Sequence, residues 1–586
     1  MTILKSFVVR FGTELLIILL FIFVINNFLN NAPKTIHADG IGYYDVLPSA
    51  FIHHDLYRAE EPFVDSTDIP TRYARINSLS HYVHYGHYRL NKYAVGTAVL
   101  QSPFFFVARA LTPLEGTWND GYQKPYQRAI FIAALFYLFL GLVFVRKLFE
   151  LYVVPNCFVG FCQLILVLGT SLVYYTNYAA SYSHVYSFFA ITAFIYYVRV
   201  YFERPHLRAF ALAALFFGLV VILRQVNAMV IVFIPFLAGS FSLLINGIRA
   251  LFKNPSWLLL GVCCIAIPVA IQSGVWYAQV GKWFVYSYTG ESFNFLDPQF
   301  MNILFSYRKG FFIYTPVMFV SVLALAWFVF KKRNFECVTW LLAFTVITFV
   351  LSSWWSWFYG SSYGARAYID HYTFLLLPTA IFLSGSIGWL RGATMATMLL
   401  LVPVNLIQSW QYKEYILHWT DMDRVGYWKV FLRTDDNYKG LLWKSRIDLN
   451  EYDRLETLEL GSIVINAHKP WAYRMDTIRN WTTLQPIDVI RVELSNSFTA
   501  TNHAQVGLRI TNSSGDSLIH LGTVPLFQFA ESGCNKEHVG FANFELPKGF
   551  LLSNERVMIF VEPRDEQQVL KEVSVVHLRR KQDQAN

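Results

Sequence analysis

Asp39, Arg366, Arg224, Arg308 and Lys309 stand next to apolar runs, where a charge usually has a reason. Asp39 lies in HADGIGYYDVLPSAF (37–51), just beyond the run LLIILLFIFVINNFL. Its carboxylate could deprotonate or orient a substrate hydroxyl; it could equally cap a helix at an interface. Gly40 and Gly42 would let the backbone turn tightly and approach a ligand, and Tyr43 and Tyr44 could stack on a sugar or a prenyl chain. Arg366 lies in YGSSYGARAYIDHY, preceded by WWSWFYG. A guanidinium binds phosphate through two parallel hydrogen bonds, more strongly in a low-dielectric cleft. Gly360 and Gly364 suggest backbone close to a ligand; the alternative is snorkelling to lipid headgroups. Arg224 interrupts LFFGLVVILRQVNAMVIVFIPF and reads as a phosphate contact or a marker of a helix hairpin. Arg308 and Lys309, in LFSYRKGFFIYTP, could neutralise a phosphate or anchor the chain at an interface. Lys92, Tyr363 and His371 complete the set of candidate substrate-lining residues around Tyr43 and Tyr44.

The elements that must hold these residues are membrane spans. Of 586 residues, 55% are hydrophobic and 15% charged, against about 25% charged in an ordinary soluble domain. Apolar runs long enough to cross a bilayer, about 20 residues, fall near 13–30, 127–146, 157–176, 183–202, 208–223, 226–246, 256–278, 311–330, 335–353, 371–389 and 392–409. Eleven crossings are therefore expected. Placing Lys5 and Arg10 in the cytoplasm puts Arg146 and Lys147, Arg204 and Arg208, Arg249 and Lys253, Lys331 to Arg333, and Arg391 on the same side, as the positive-inside rule requires. The net charge of +9 is thus a topological signal, and no nucleic-acid partner is expected. The first run lacks a small-residue cleavage site and reads as a retained anchor. Residues 31–126, 279–310, 354–372 and everything beyond 410 fall outside.

Beyond about residue 440 the pattern changes. SIVINAH, VIRVELSNSF, VGLRITNSS, SLIHLG, FANFEL, RVMIFVE and VSVVHL alternate apolar and polar residues between turn signals, which predicts an all-β sandwich over 441–586. It would bind carbohydrate, or act as a lid or a platform for a protein partner. Residues 410–440 read as a helical linker on the membrane surface, with Trp410, Trp419 and Trp428 at the interface. The fold class is then a polytopic α-helical membrane domain (1–409) followed by a linker and an extracytoplasmic β-sandwich.

Metal signals are weak. His81, His84 and His87 are three apart, but Gly86 and the neighbouring tyrosines suggest a hairpin. The apolar segment after them contains Pro103 and reads as a helix in the outer interface, with Arg89 and Lys92 just before it. The six cysteines show neither CxxC pairs nor Cys/His metal spacing, and NWT at 480–482 and NSS at 512–514 match glycosylation sequons.

Together, the Asp39-Gly40 pair after the first span, LNKYAVGTAVLQSPFF, LRQVNAMVIVFIPF, YRKGFFIYTPV and WFYGSSYGARAYIDHYTFLLLP resemble the GT-C superfamily of membrane glycosyltransferases. The likeness is to the bacterial branch of the protein O-mannosyltransferases and the lipid A aminoarabinose transferase, and it covers about residues 10–400. The resemblance implies a polyprenyl-phosphate-linked sugar as donor and a lipid, glycan or protein acceptor outside the inner (cytoplasmic) membrane. It implies Asp39 as the acid that acts as base or orients the acceptor or a divalent metal. Arg366 is implied as a contact to the donor phosphate. Many relatives carry two neighbouring acids in this loop; here the next is Asp45, six residues on. Two other classes remain open: a transporter, which predicts internal repeats and mid-span charge, and a non-catalytic assembly protein that holds a partner through its β-domain.

Overall fold

The computed structural model describes residues 2–29, 35–54, 56, 81–85, 88–112, 121–435, 438–439, 441–443 and seven strands beyond 451. Those residues fall into two compact units. One holds the chain up to Trp410 with Trp419–Tyr427, and the other holds Gln411–His418 and the chain from Trp428 onward. The two sequons, Cys534 and His87 lie outside the described residues.

The first unit is a multi-pass helical membrane unit. Among the described residues, six helices are long and apolar enough to cross a bilayer: Phe11–Leu29, Lys124–Leu151, His184–Glu203, Pro255–Val280, Asn334–Ser352 and Gly388–Lys413. A seventh is counted if the bent pair Gln225–Ala238 and Phe241–Lys253 is one span. Asn156–Leu168, Leu207–Leu223 and Pro316–Phe330 are shorter apolar helices. Every run expected to cross falls on helix, but several are not single straight spans. The run 157–176 breaks at Gly169. Asn405 Nδ2 donates to the carbonyls of Leu168 and Thr170 there, at 2.9 and 2.8 Å, satisfying helix-end oxygens that lipid could not. The run 226–246 breaks at Gly239, whose φ of +81° is glycine's region. Ser240 caps the next helix through Leu243 N–H, and the chain turns by 120°.

Burial separates central from peripheral helices. His184–Glu203 and Tyr372–Gly385 are buried along most of their length, whereas only a small share of Pro255–Val280 and Gly388–Lys413 is buried, as lipid-facing helices should be. The central packing includes charge. Glu14 is buried and accepts Arg146 Nε–H at 2.5 Å and Gln163 Nε2–H at 2.7 Å, so a carboxylate in the first span is matched by two donors from its neighbours.

In the loop after the first span, β1 (Tyr82–Tyr85) and β2 (Tyr88–Asn91) form an antiparallel hairpin with His84 opposite Arg89. The helix Gly96–Leu111 follows. Pro103 cannot donate to Val99 O, and Ser102 Oγ does so at 2.8 Å. The helix starts against another backbone: a Cβ on Gly96 would stand 2.5 Å from Ile222 O and 2.6 Å from Leu223 N.

In the expected linker, 410–440, two helices are described. The helix Gly388–Lys413 runs through residue 410, and a second short helix covers Arg424–Val430. Of the three tryptophans, Trp428 is the exposed one, at 56%. In the second unit all seven alternating stretches coincide with strands: β3 (Tyr452–Ile465), β4 (Val489–Asn496), β5 (Gln505–Thr511), β6 (Leu518–Pro525), β7 (His538–Glu545), β8 (Arg556–Glu562) and β9 (Gln568–Arg580). They pair as two antiparallel sheets, β3-β9-β4-β7 and β6-β5-β8. The described residues give two sheets, not a demonstrated sandwich. β4 and β9 carry the buried side chains Ile490, Val492, Val575 and Val576, as inner strands do.

Candidate functional site

Asp39 opens a six-residue helix, Asp39–Tyr44. The residue before it, Ala38, has φ 45° and ψ −131°, a region that a side chain disfavours and that persists only where the surroundings enforce it. The surroundings do so here. Gln127 Oε1, on the helix Lys124–Leu151, accepts the N–H groups of Thr35 and Ile36 at 2.9 and 2.7 Å. Ser181 Oγ donates to Thr35 O at 2.8 Å.

Gly40 and Gly42 are needed for packing within the protein. A Cβ on Gly40 would stand 1.8 Å from Ser181 Oγ, and one on Gly42 2.2 Å from the Tyr93 ring. Both lie in helix, so the tight turn expected of them is absent. Gly360 and Gly364 do require their glycine: their φ values are +64° and +62°.

Arg366 opens another short helix, Arg366–His371. Its Nη1 lies 2.7 Å from Asp39 Oδ2, with the side chains 15% and 28% exposed. The guanidinium also lies over the Tyr182 ring at 5.7 Å. The loop after the first span and the loop before the Tyr372–Gly385 helix therefore meet in one ion pair. Burial pushes the Asp39 carboxyl up. Arg366, a hydrogen bond from the Tyr93 hydroxyl and the Lys92 charge outweigh it and hold the group below the usual carboxylate range.

Asp370 stands four residues on and is fully buried. It accepts Arg224 Nη1–H at 3.0 Å and Asn227 Nδ2–H at 2.8 Å, and its other oxygen faces His184 Nδ1 at 2.8 Å. An ionised carboxylate can only accept, so that histidine nitrogen carries the proton. Burial would raise the Asp370 carboxyl, but Arg224 and His184 hold it well below the ordinary value. Arg224 has extended backbone at the end of the helix Leu207–Leu223 and senses both Asp370 and Tyr43.

Tyr43 packs on Tyr93 at 4.5 Å and feels Arg224, Asp39 and Arg366. Lys92 lies over Tyr93 and Tyr288 at 5.5 and 5.9 Å and pairs with Glu291 at 3.3 Å. Asp39, Arg366, Arg224, Tyr43 and Lys92 thus form one neighbourhood.

Tyr44, Tyr363, His371 and Arg308 make no ion pair or hydrogen bond with Asp39 or Arg366 among the described residues. Tyr44 is fully buried, donates to Gly121 O at 2.6 Å and packs against Phe105 and Tyr122. Tyr363 is fully buried and donates to Asn405 Oδ1 at 3.1 Å. His371 is buried edge-on to Phe233, with no hydrogen bond to either ring nitrogen among the described residues. Arg308 donates to Thr420 O at 2.7 Å and to Asp421 at 2.9 Å, and lies over Phe358 at 3.6 Å. Lys309 is the buried one of that pair, donating to the carbonyls of Ser362 and Trp419. Burial and the Arg366 and Arg308 charges push its ammonium well down.

Two residues join the site that spacing does not flag. Tyr93 is one tyrosine among 35, and nothing local marks it. Asp370 had a signal, an acid inside an otherwise apolar and aromatic stretch just after Arg366. The described residues offer no metal set: no three His, Cys, Asp or Glu side chains converge. Asp45, the nearest acid in sequence, accepts from Tyr82 at 2.5 Å and Tyr122 at 2.7 Å, and His81 faces it at 3.8 Å.

No protein-family model and no curated protein sequence matches the chain. Among solved structures, the chain is similar to the archaeal oligosaccharyltransferase AglB from Archaeoglobus fulgidus in complex with an inhibitory peptide and a dolichol-phosphate. The identity is 10%, over 70% of this chain and 57% of that one, with a TM-score of 0.40. It is also similar to the arabinosyltransferase EmbB from Mycobacterium smegmatis, at 8% identity, over 97% of this chain and 64% of that one, with a TM-score of 0.35. The chain therefore spans less than two thirds of the length of either. Superposition at this level transfers no residue role and no activity.

Proposed function

We propose that this chain is a membrane glycosyltransferase of the GT-C kind. It moves a sugar from a polyprenyl-phosphate donor to a hydroxyl of a lipid, glycan or protein acceptor on the outer side of the inner membrane. The observation that carries the reading is the Asp39–Arg366 pair at 2.7 Å. Residues 327 positions apart supply a carboxylate and a guanidinium to one place, beside a second half-buried guanidinium, Arg224.

In this reading the donor phosphate lies against Arg366 and Arg224. The acceptor hydroxyl attacks the anomeric carbon. Its oxygen forms the new C–O bond as the bond from that carbon to the phosphate oxygen breaks. The bonding pair leaves with the phosphate, whose growing charge the two guanidinium groups stabilise. The hydroxyl proton passes to the Asp39 carboxylate and then to water. A single displacement inverts the anomeric centre. Because no metal set is offered by the described residues, no step is routed through a cation.

The test is transfer from a radiolabelled polyprenyl-phosphate sugar by the purified full-length chain. Asp39→Asn is expected to lower turnover by about 10²–10⁴-fold, the usual contribution of a general base, while the protein keeps its elution volume. Turnover within about twofold of wild type would remove Asp39 from the chemistry.

A further inference from the structure

Among the described residues, the charges paired around Asp39 match one to one. Asp39 pairs with Arg366, Asp370 with Arg224, and Glu291 with Lys92. An incoming lipid phosphate adds negative charge to a site already neutral, and an uncompensated anion in a poorly solvated site is costly. One internal pair has to open.

The three pairs are not equivalent. Asp370 is sealed from solvent, so withdrawing Arg224 would leave a buried carboxylate short of a charge. Lys92 offers a point charge and not the planar fork that fits phosphate. Asp39 is the most exposed of the three carboxylates, at 28%. It begins the short helix Asp39–Tyr44, which packs on the Tyr93 ring through Tyr43 at 4.5 Å and through Gly42, and the Tyr93 hydroxyl helps to hold its carboxyl down. Tyr93 is itself fixed: its N–H donates to Asn91 Oδ1 at 3.0 Å, and Asn91 Nδ2 donates to Gly42 O at 2.8 Å. Asn91 thus ties the end of β2 to the helix that bears Asp39.

We propose that Arg366 changes partner, leaving Asp39 for the donor phosphate, and that Tyr93 is the positioning residue that holds the Asp39 carboxylate in place when it does. In the closed pair the carboxylate is neutralised and is a poor base. With Arg366 on the phosphate, Asp39 regains basicity beside the reacting hydroxyl. Donor therefore binds first, and acceptor alone meets a masked base. No covalent bond changes in this step; one ion pair is exchanged for another. The inference rests on the reading of Arg366 as the phosphate contact.

The experiment is binding of a polyprenyl phosphate to the purified full-length chain in detergent micelles. Asp39→Asn, or Asp39→Ser should the first not fold, is expected to bind about tenfold more tightly, because Arg366 no longer has to leave a carboxylate. Arg366→Gln is expected to bind at least about tenfold more weakly. Tyr93→Phe is expected to keep lipid affinity, lower kcat with the donor KM unchanged, and move the acid limb of kcat/KM upward. Equal or weaker binding by both Asp39 variants, with binding still lost in Arg366→Gln, overturns the exchange and leaves the phosphate contact standing. Wild-type binding by Arg366→Gln overturns both. An unchanged kcat in Tyr93→Phe overturns the positioning role.

Discussion

Two carboxylates with depressed titration dominate the site at the scale of residues. Asp39 faces Arg366, Tyr93 and Lys92, and Asp370 faces Arg224, His184, Asn227 and His371. A carboxyl whose folded-state pKa lies below its unfolded one, about 3.9, stabilises the fold above that value. The contribution is lost as pH falls through the lower folded value. The melting temperature should therefore drop steeply below about pH 4, with Asp39→Asn flattening part of the fall. Thermal scans from pH 7 to 3 test this. An equal slope in Asp39→Asn would mean that the Arg366 pair adds nothing to the acid limb. Asp39 and Arg366 are legible in the sequence because each is a charge beside apolar runs. Tyr44 and Tyr363 look like their neighbours Tyr43 and Tyr359 on paper, and only packing shows that Tyr44 and Tyr363 are fully sealed, Tyr43 nearly so and Tyr359 half-buried.

At the scale of elements, the site depends on close backbone approach. The helix Gly96–Leu111 begins against the end of Leu207–Leu223, where Arg224 follows. Gly96→Ala would place a Cβ 2.5 Å from Ile222 O, and neither backbone has a flexible end to move. A loss of about 1–3 kcal/mol is expected, as for overpacking, read as a lower melting temperature. Reduced lipid-phosphate binding should accompany it, since the two helices would part where Arg224 sits. An unchanged melting temperature would show that the contact relaxes freely. The apolar runs announce that helices exist, because composition alone sets that. Composition is silent on where they break. Gly169 and Gly239 interrupt runs that read as continuous, and the partners that make the breaks tolerable, such as Asn405 beneath Gly169, come from distant sequence.

Crossing number belongs to the whole molecule. Six helices, or seven with the bent pair, satisfy length and apolarity among the described residues, and shorter helices supply the remaining runs. The reading of eleven crossings requires an odd number and so places the two ends on opposite sides. An alkaline phosphatase fusion after residue 586 should be active and a green fluorescent protein fusion there dark, with the reverse at a fusion after residue 253. Matching signals at the two sites would break the topology, and with it the outward placement of Asp39 and Arg366.

Sequence by itself determined the medium, the strand-rich character of the carboxy-terminal region and the two charges that carry the functional reading. These follow from composition, from the period of alternation and from the cost of charge near lipid, all of which are local. Tertiary structure decided the rest: that Asp39 and Arg366 touch, that Asp370 organises Arg224, that Tyr93 stands against the carboxylate, and that Arg308 turns to Asp421 instead. Ion pairing falls off within a few ångströms, whereas these partners lie up to hundreds of residues apart. Only the folded chain sets the distances on which their chemistry depends.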